Sequence, residues 1–176
     1  LGYRRTVDIL INTFRQLFYP LFIRNLKMAH PQPRKWFPRK PEKYIGDVNN
    51  IIARSSWEIA VLNFFDNNPS IISYCSEEVI IPYVCGTDNS IHRYYPDFVV
   101  KYKTREGDEK MAVVEVKPAK QTVPPVKPKR QSKHYVNECM TYIKNQSKWK
   151  AAKEYARKNH MDFIILTEHE IYGKKP

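Results

Sequence analysis

The sequence predicts an α/β domain: a mixed sheet with helices on its faces. Three observations point there. A helical signal comes first, three β-like runs follow, and a second helical stretch leads to a short apolar run over 161–167 (MDFIILT). Such a continuous run is the mark of a strand buried on both faces. A meander followed by a helical crossover to a buried strand gives both antiparallel and parallel neighbours. At 176 residues, with 42% hydrophobic residues and 13% aromatics, the chain can fill one real core. Wholesale disorder is excluded.

In chain order, residues 1–27 place Leu10, Phe14, Leu17 and Leu21 at helical spacing. Asp8, Arg15 and Pro20 interrupt that run and no small-residue cleavage site follows, so it reads as an amphipathic leader helix, not a span or a signal peptide. Residues 28–43 carry Arg34, Lys35, Arg39, Lys40 and Lys43 among four prolines and read as an extended, solvated connector. The compact domain is then expected over 44–176. Over 55–66 the sequence SSWEIAVLNFFD sets Trp57, Ala60, Val61, Phe64 and Phe65 on one helical face, with Ser55 as N-cap and Asn67-Asn68-Pro69 as the stop. The β-like runs cover roughly 71–83, 91–102 and 110–117, separated by Gly86-Thr87-Asp88-Asn89 and Glu106-Gly107-Asp108. A proline-studded basic loop over 118–133 leads into the second helical stretch. There Ser147 reads as a second N-cap ahead of Trp149, Ala152, Tyr155 and Ala156.

Charge narrows the function. Thirty Lys+Arg against 18 Asp+Glu give +12, which implies an anionic partner, nucleic acid before an acidic membrane surface. Most of the excess remains without the leader. Cys75, Cys85 and Cys139 are odd in number and form no C-x-x-C pair, so neither a disulfide framework nor a structural zinc site is indicated. Free thiols suit a reducing cytoplasm. The five histidines show no H-E-x-x-H pattern, and no glycine-rich phosphate loop occurs. A zinc enzyme and a nucleotide cofactor are therefore not expected.

The chemistry-bearing residues cluster in two strands. Tyr95-Pro96-Asp97 puts an acid at a strand entry, and Glu115-Val116-Lys117 ends the next strand with an acid and a base two apart, hence on one face. Hairpin neighbours lie about 4.8 Å apart, so Asp97 can approach Glu115 if the register matches. Ionised groups on so apolar a strand need a partner or a metal. Two carboxylates and an ammonium on one sheet face make a hard-cation site beside a phosphate-binding lysine.

P-D followed 18 residues later by E-x-K resembles the PD-(D/E)xK nuclease superfamily, and the element order resembles its restriction-endonuclease-like αβββαβ core. The segments NNIIARSSWE, SEEVIIPY, HRYYPDFVVK and VVEVKPAKQT are more specific. They resemble the head-completion nucleases of tailed bacteriophages, which in turn look like the endonuclease that cuts one end of certain cut-and-paste transposons. The resemblance implies a catalytic set of Glu58, Asp97, Glu115, Lys117 and Gln121. It implies one or two Mg²⁺ (or Mn²⁺) ions on Glu58, Asp97, Glu115 and the Val116 carbonyl. It further implies duplex DNA as substrate, phage head or portal proteins as partners, no membrane, and a place in the host cytoplasm and at the capsid vertex of the virion. Members of that family are expected to begin near the proline-rich connector, so residues 1–27 read as an extension or as an upstream reading of the gene.

Each residue has a plainer competitor. Ser55-x-x-Glu58 is a capping box, which gives Glu58 a structural role as strong as a metal role. Asp97 can close a turn, Glu115 and Lys117 can form a solvated pair, and Gln121 can be an ordinary loop residue. Glu77 and Glu78 read as strand residues facing opposite sides, one of them a further candidate for the metal shell. His92 and Arg93 are candidate phosphate contacts. Lys120, Lys127, Lys129, Arg130 and Lys133 fall in an acid-free loop after the E-x-K strand and point to DNA-backbone contact. No recognition helix is evident, so base-specific readout is not expected. The rival functions are a structural head-completion protein with a vestigial centre and a transposon-type end-cleaving subunit.

Overall fold

A computed structural model describes residues 32–172; the leader helix expected over 1–27 lies outside them. The centre is a four-stranded mixed sheet in the order β3-β6-β7-β8, made of Ile71–Ser76 (β3), Phe98–Lys103 (β6), Glu109–Val116 (β7) and Asp162–Leu166 (β8). β3, β6 and β7 run antiparallel, and β8 joins β7 in parallel after a helical crossover. Helix α1, Ser56–Asn67, precedes the sheet; helix α2, Lys133–Lys158, makes the crossover; and the short helix α3, Glu168–Tyr172, closes the described chain. This is the expected mixed α/β architecture.

Period-two alternation divides the core into two layers. Phe98, Val100, Tyr102, Ala112, Val114 and Val116 face one side, where they meet Val61, Leu62 and Phe65 of α1. Val99, Val113 and Phe163 face the other and meet Trp149, Ala152 and Ala156 of α2. Glu115 follows Val113 by two and so points to the α2 side. At the β6–β7 turn Gly107 adopts φ +93, a conformation open to glycine, and its N–H donates to the Thr104 carbonyl.

Two of the expected β runs are broken. The first divides into β3 and Ile81–Val84 (β4), because Glu77 turns into the left-handed region at φ 57. Glu77 and Glu78 thus follow β3 instead of lying in a strand. The run over 91–102 divides into Ile91–Tyr94 (β5) and β6 around Pro96, which has no N–H to give a ladder. β4 and β5 form a separate hairpin that covers the α2 layer with Ile81, Tyr83 and Tyr94.

Helix α2 corrects another reading. It is one helix of 26 residues, capped by Ser132, whose side chain accepts from Tyr135 N–H. Ser147 lies mid-helix; its hydroxyl donates to the Ile143 carbonyl at 2.9 Å and accepts the Gly86 N–H at 3.0 Å. The hydroxyl that resembled a cap joins α2 to the hairpin.

The part of the connector within the described residues is not a solvated linker. Arg34–Trp36 (β1) pairs with Ile51–Ala53 (β2), and Trp36 meets the Tyr74 ring edge-on. Asp66, 1% exposed near the end of α1, accepts the N–H groups of Arg39 (2.9 Å) and Lys40 (3.1 Å) and the Tyr74 hydroxyl. The Lys43 ammonium donates to the carbonyls of Asp66 and Asn68 at the same helix end. The packed fold therefore includes Arg34–Lys43, upstream of the expected boundary at Tyr44.

Candidate active site

The β6–β7 register pairs Phe98 with Val114. One step further puts Asp97 opposite Glu115, just past the end of the ladder. There the Asp97 carboxylate accepts the Val116 N–H at 2.7 Å. Glu115 is 2% exposed and has a partner for each oxygen: Lys117 Nζ at 2.9 Å, and the hydroxyl of Tyr94, which donates from β5 at 2.5 Å. The hairpin brings Asp97 and Glu115 together, and the two-residue spacing brings Glu115 and Lys117 together.

Electrostatics agrees with the crowding. Burial, then the Glu115 charge, pushes Asp97 well above the ordinary carboxylate range, although Lys117 and the Val116 N–H pull the other way. Burial alone would lower Lys117, but Glu115, Asp97 and Glu58 together outweigh it and hold the ammonium more basic than usual. The Tyr94 hydroxyl is kept protonated by burial and by the adjacent Glu115 charge, and so serves as a donor.

Glu58 stands at the start of α1, near enough to add to the field on Asp97 and Lys117. Its two oxygens accept the Arg54 N–H (2.7 Å) and the Ser55 hydroxyl (2.8 Å), while its own N–H donates to Ser55 Oγ. This is the capping box realised. Burial raises the Glu58 carboxyl in spite of those donors. Arg54 also grips Glu77 through two hydrogen bonds, at 2.9 and 2.8 Å, so Glu77 is held in an ion pair beside the site. Gln121 sits in the 3-10 turn Ala119–Gln121, and its side-chain carbonyl accepts from Asn145 of α2 at 3.5 Å.

Three residues at the site escaped sequence reasoning. Tyr94 was readable only in retrospect: a buried acid such as Glu115 requires donors, and Tyr94 lies three residues before Asp97. Lys148 and Asn145 come from α2, and only the crossover brings them in. The Lys148 ammonium lies 5.4 Å from the centre of the Tyr94 ring. Burial depresses its basicity, and Lys117 and Lys144 add to that, against the attraction of Glu115 and Asp97.

The phosphate-contact candidates lie on the surface. Lys120, Lys127, Lys129, Arg130 and Lys133 are all exposed. His92 and Arg93 are exposed on β5, but the His92 ring is engaged with Asp88 at 2.9 Å. A hollow of about 540 Å³ lined by Lys101, Glu109, Met111 and Asp162 lies at the far end of the sheet and holds none of the residues singled out above.

The donor set fits a hard divalent cation: carboxylate oxygens in excess over the ammonium, with Asp97 under a strain that added positive charge relieves. Glu58, Asp97 and Glu115 do not all lie within 4.8 Å of one another.

A mixed sheet with paired acids and a lysine at one end of its central strands defines a restriction-endonuclease-like domain. The TnsA-like endonuclease N-terminal family matches residues 68–168, and the chain belongs to it. That stretch contains Asp97, Glu115, Lys117 and Gln121, and Glu58 lies just upstream. The chain is also 41% identical over 138 residues to the head completion nuclease of Enterobacteria phage T4, covering 76% of this chain and 89% of that protein. No solved structure matches.

Proposed function

We propose that the chain is a metal-dependent DNA nuclease that hydrolyses phosphodiester bonds during phage head completion, after DNA packaging. The observation that carries this is the hairpin register, which sets Asp97 beside Glu115 with Lys117 bonded to Glu115 at 2.9 Å. Membership in an endonuclease family and the name of the T4 relative support it. The partners in this reading are duplex DNA and a head or portal protein, and the protein works in the host cytoplasm and at the capsid vertex.

Asp97, Glu115, the Val116 carbonyl and Glu58 would hold Mg²⁺ or Mn²⁺. Bound there, the cation supplies Lewis-acid polarisation of the phosphate and a lowered pKa for water. Lys117 orients the attacking water or offsets charge developing on the phosphate. Tyr94 and Lys117 fix the Glu115 carboxylate from opposite oxygens, so its aim does not depend on side-chain entropy at the moment of reaction. Lys148 adds a second cation on the α2 side. Gln121, held by Asn145, stands with the catalytic set. Lys120, Lys127, Lys129, Arg130 and Lys133, with Arg93, contact the DNA backbone, which gives affinity without sequence preference.

The test is incubation of purified protein with linear and circular duplex DNA, with Mg²⁺ or with chelator. Cleavage is expected in Mg²⁺ and Mn²⁺ alone, and is expected to vanish in Asp97→Ala, Glu115→Ala and Lys117→Ala. Full cleavage in chelator, or by Asp97→Ala, refutes the mechanism.

A further inference from the structure

The closed end of the β4–β5 hairpin gathers side chains that the nuclease reading leaves aside. The Cys85 sulfur, an Asp88 carboxylate oxygen and a His92 ring nitrogen all lie within 4.8 Å of one another. We propose that Cys85, Asp88 and His92 bind a borderline divalent transition metal, zinc before others, in a site separate from the catalytic carboxylates.

The donor types make the choice of metal. Thiolate, imidazole and carboxylate are the ligands of zinc, whereas magnesium and calcium take oxygen. One thiolate and one carboxylate neutralise a dication, and three protein ligands leave a fourth tetrahedral position to water. Lys144 of α2 is a cation acting on both Cys85 and Asp88, and it is exposed, so it can turn away as the metal enters.

The backbone already holds the ligands in place. Tyr83 pairs with His92 across the hairpin, and Cys85 follows Tyr83 by two, so Cys85 and His92 share a face. Cys85 N–H donates to the Ser90 carbonyl at 2.9 Å, and its own carbonyl accepts from Asn89, which sits at φ 56. Ser90 N–H occupies Asp88 Oδ1 at 3.0 Å, which leaves Oδ2 facing His92 Nε2 at 2.9 Å. The Cys85 side chain is 0% exposed and its sulfur touches the Thr87 hydroxyl at 3.0 Å. The sulfur is thus an inward ligand, with the other two on the rim.

The metal would act as a clip. The adjacent Gly86 N–H is bonded to Ser147 of α2, and Tyr94, at the other end of β5, donates to Glu115. Fixing the closed end of the hairpin therefore stiffens the strand that positions Glu115.

The test uses the full chain and does not depend on DNA cleavage. Metal content is measured after expression with zinc, and Co²⁺ is titrated while the thiolate-to-cobalt charge-transfer absorption is followed. One equivalent per chain with that absorption is expected. It should persist in Asp97→Asn and in the Cys75→Ser/Cys139→Ser double variant, and vanish in Cys85→Ser. His92→Gln and Asp88→Asn alter exposed side chains and keep a polar group at each position, and should weaken cobalt binding at least about tenfold. The proposal is overturned if no stoichiometric metal binds. Absorption that survives Cys85→Ser, or that Asp97→Asn abolishes, overturns it too.

Discussion

Tyr94→Phe isolates one hydrogen bond at the centre of the site. The ring stays, so the apolar packing of β5 on Trp149 and Ala152 stays with it. Only the hydroxyl that donates to Glu115 is lost. Glu115 is 2% exposed, so water does not replace that donor, and Lys117 is left to satisfy the other oxygen. A hydrogen bond to a charged group contributes about 1.5–3 kcal/mol. For a domain of this size each kcal/mol moves the melting temperature by about 2–4 °C, so a drop of roughly 3–12 °C is expected in chelator. Added Mg²⁺ should recover part of the drop, because a dication gives the orphaned oxygen a partner. Cleavage should fall by about ten- to a hundredfold, in the range that slight misplacement of a reacting group costs. Thermal melts with and without Mg²⁺, beside a plasmid-nicking assay, measure both effects. An unchanged melt in chelator would mean that Glu115 does not need the Tyr94 hydroxyl, and the account of how the acid is held would fall.

Asp97→Asn should abolish cleavage yet raise stability at neutral pH without metal. The folded state holds the Asp97 carboxyl above its ordinary value, so its contribution is full below the unfolded pKa and is lost as pH rises towards the raised one. Urea midpoints at pH 7 and near pH 3 check this, with the gain confined to the higher pH. Glu58→Gln can still serve the cap and should change stability by no more than about 0.5 kcal/mol while cutting activity sharply; Glu58→Ala should also lose roughly 1 kcal/mol of cap. Equal cleavage by Glu58→Gln and the parent would make Glu58 a cap and nothing more. A chain starting at Tyr44 loses two donors to the buried Asp66, about 3–6 kcal/mol at 1.5–3 each, and should fail to melt cooperatively, whereas one starting at Met28 should fold and cut. Finally, about four phosphate contacts from the basic loop predict a log K against log salt slope of about −3.6, and neutralising Lys127, Lys129 and Arg130 together should flatten it.

The acids and the lysine were legible because strand geometry is strict. A period of two fixes Glu115 and Lys117 on one face, and a hairpin turn at Gly107 fixes which residue Asp97 meets. Glu58 was legible as both cap and candidate ligand, and the structure realises the cap. The breaks at Glu77 and Pro96 were hidden by Val, Ile and Tyr runs that read as continuous strands, since composition does not register a single left-handed residue. Ser147 misled for a physical reason: a serine ahead of an apolar helical face looks alike whether it caps that face or bonds back to the preceding turn. Lys148 and the Asp66 anchor depend on contacts between distant segments, for which local patterns carry no sign.

The parallel pairing of β7 with β8 has a consequence for synthesis. In β7, Ala112–Val116 is buried on both faces, but the elements that cover its α2 face and its outer edge, α2 and β8, come later in the chain. Until the ribosome has released Leu166, this strand is an apolar edge with unpaired backbone groups, a surface prone to adhesion. Glu115 lies within it, without the shelter of α2. A message truncated between 117 and 160 should therefore yield a product that precipitates, and the carboxylate site can take its finished form only after α2 and β8 have been made.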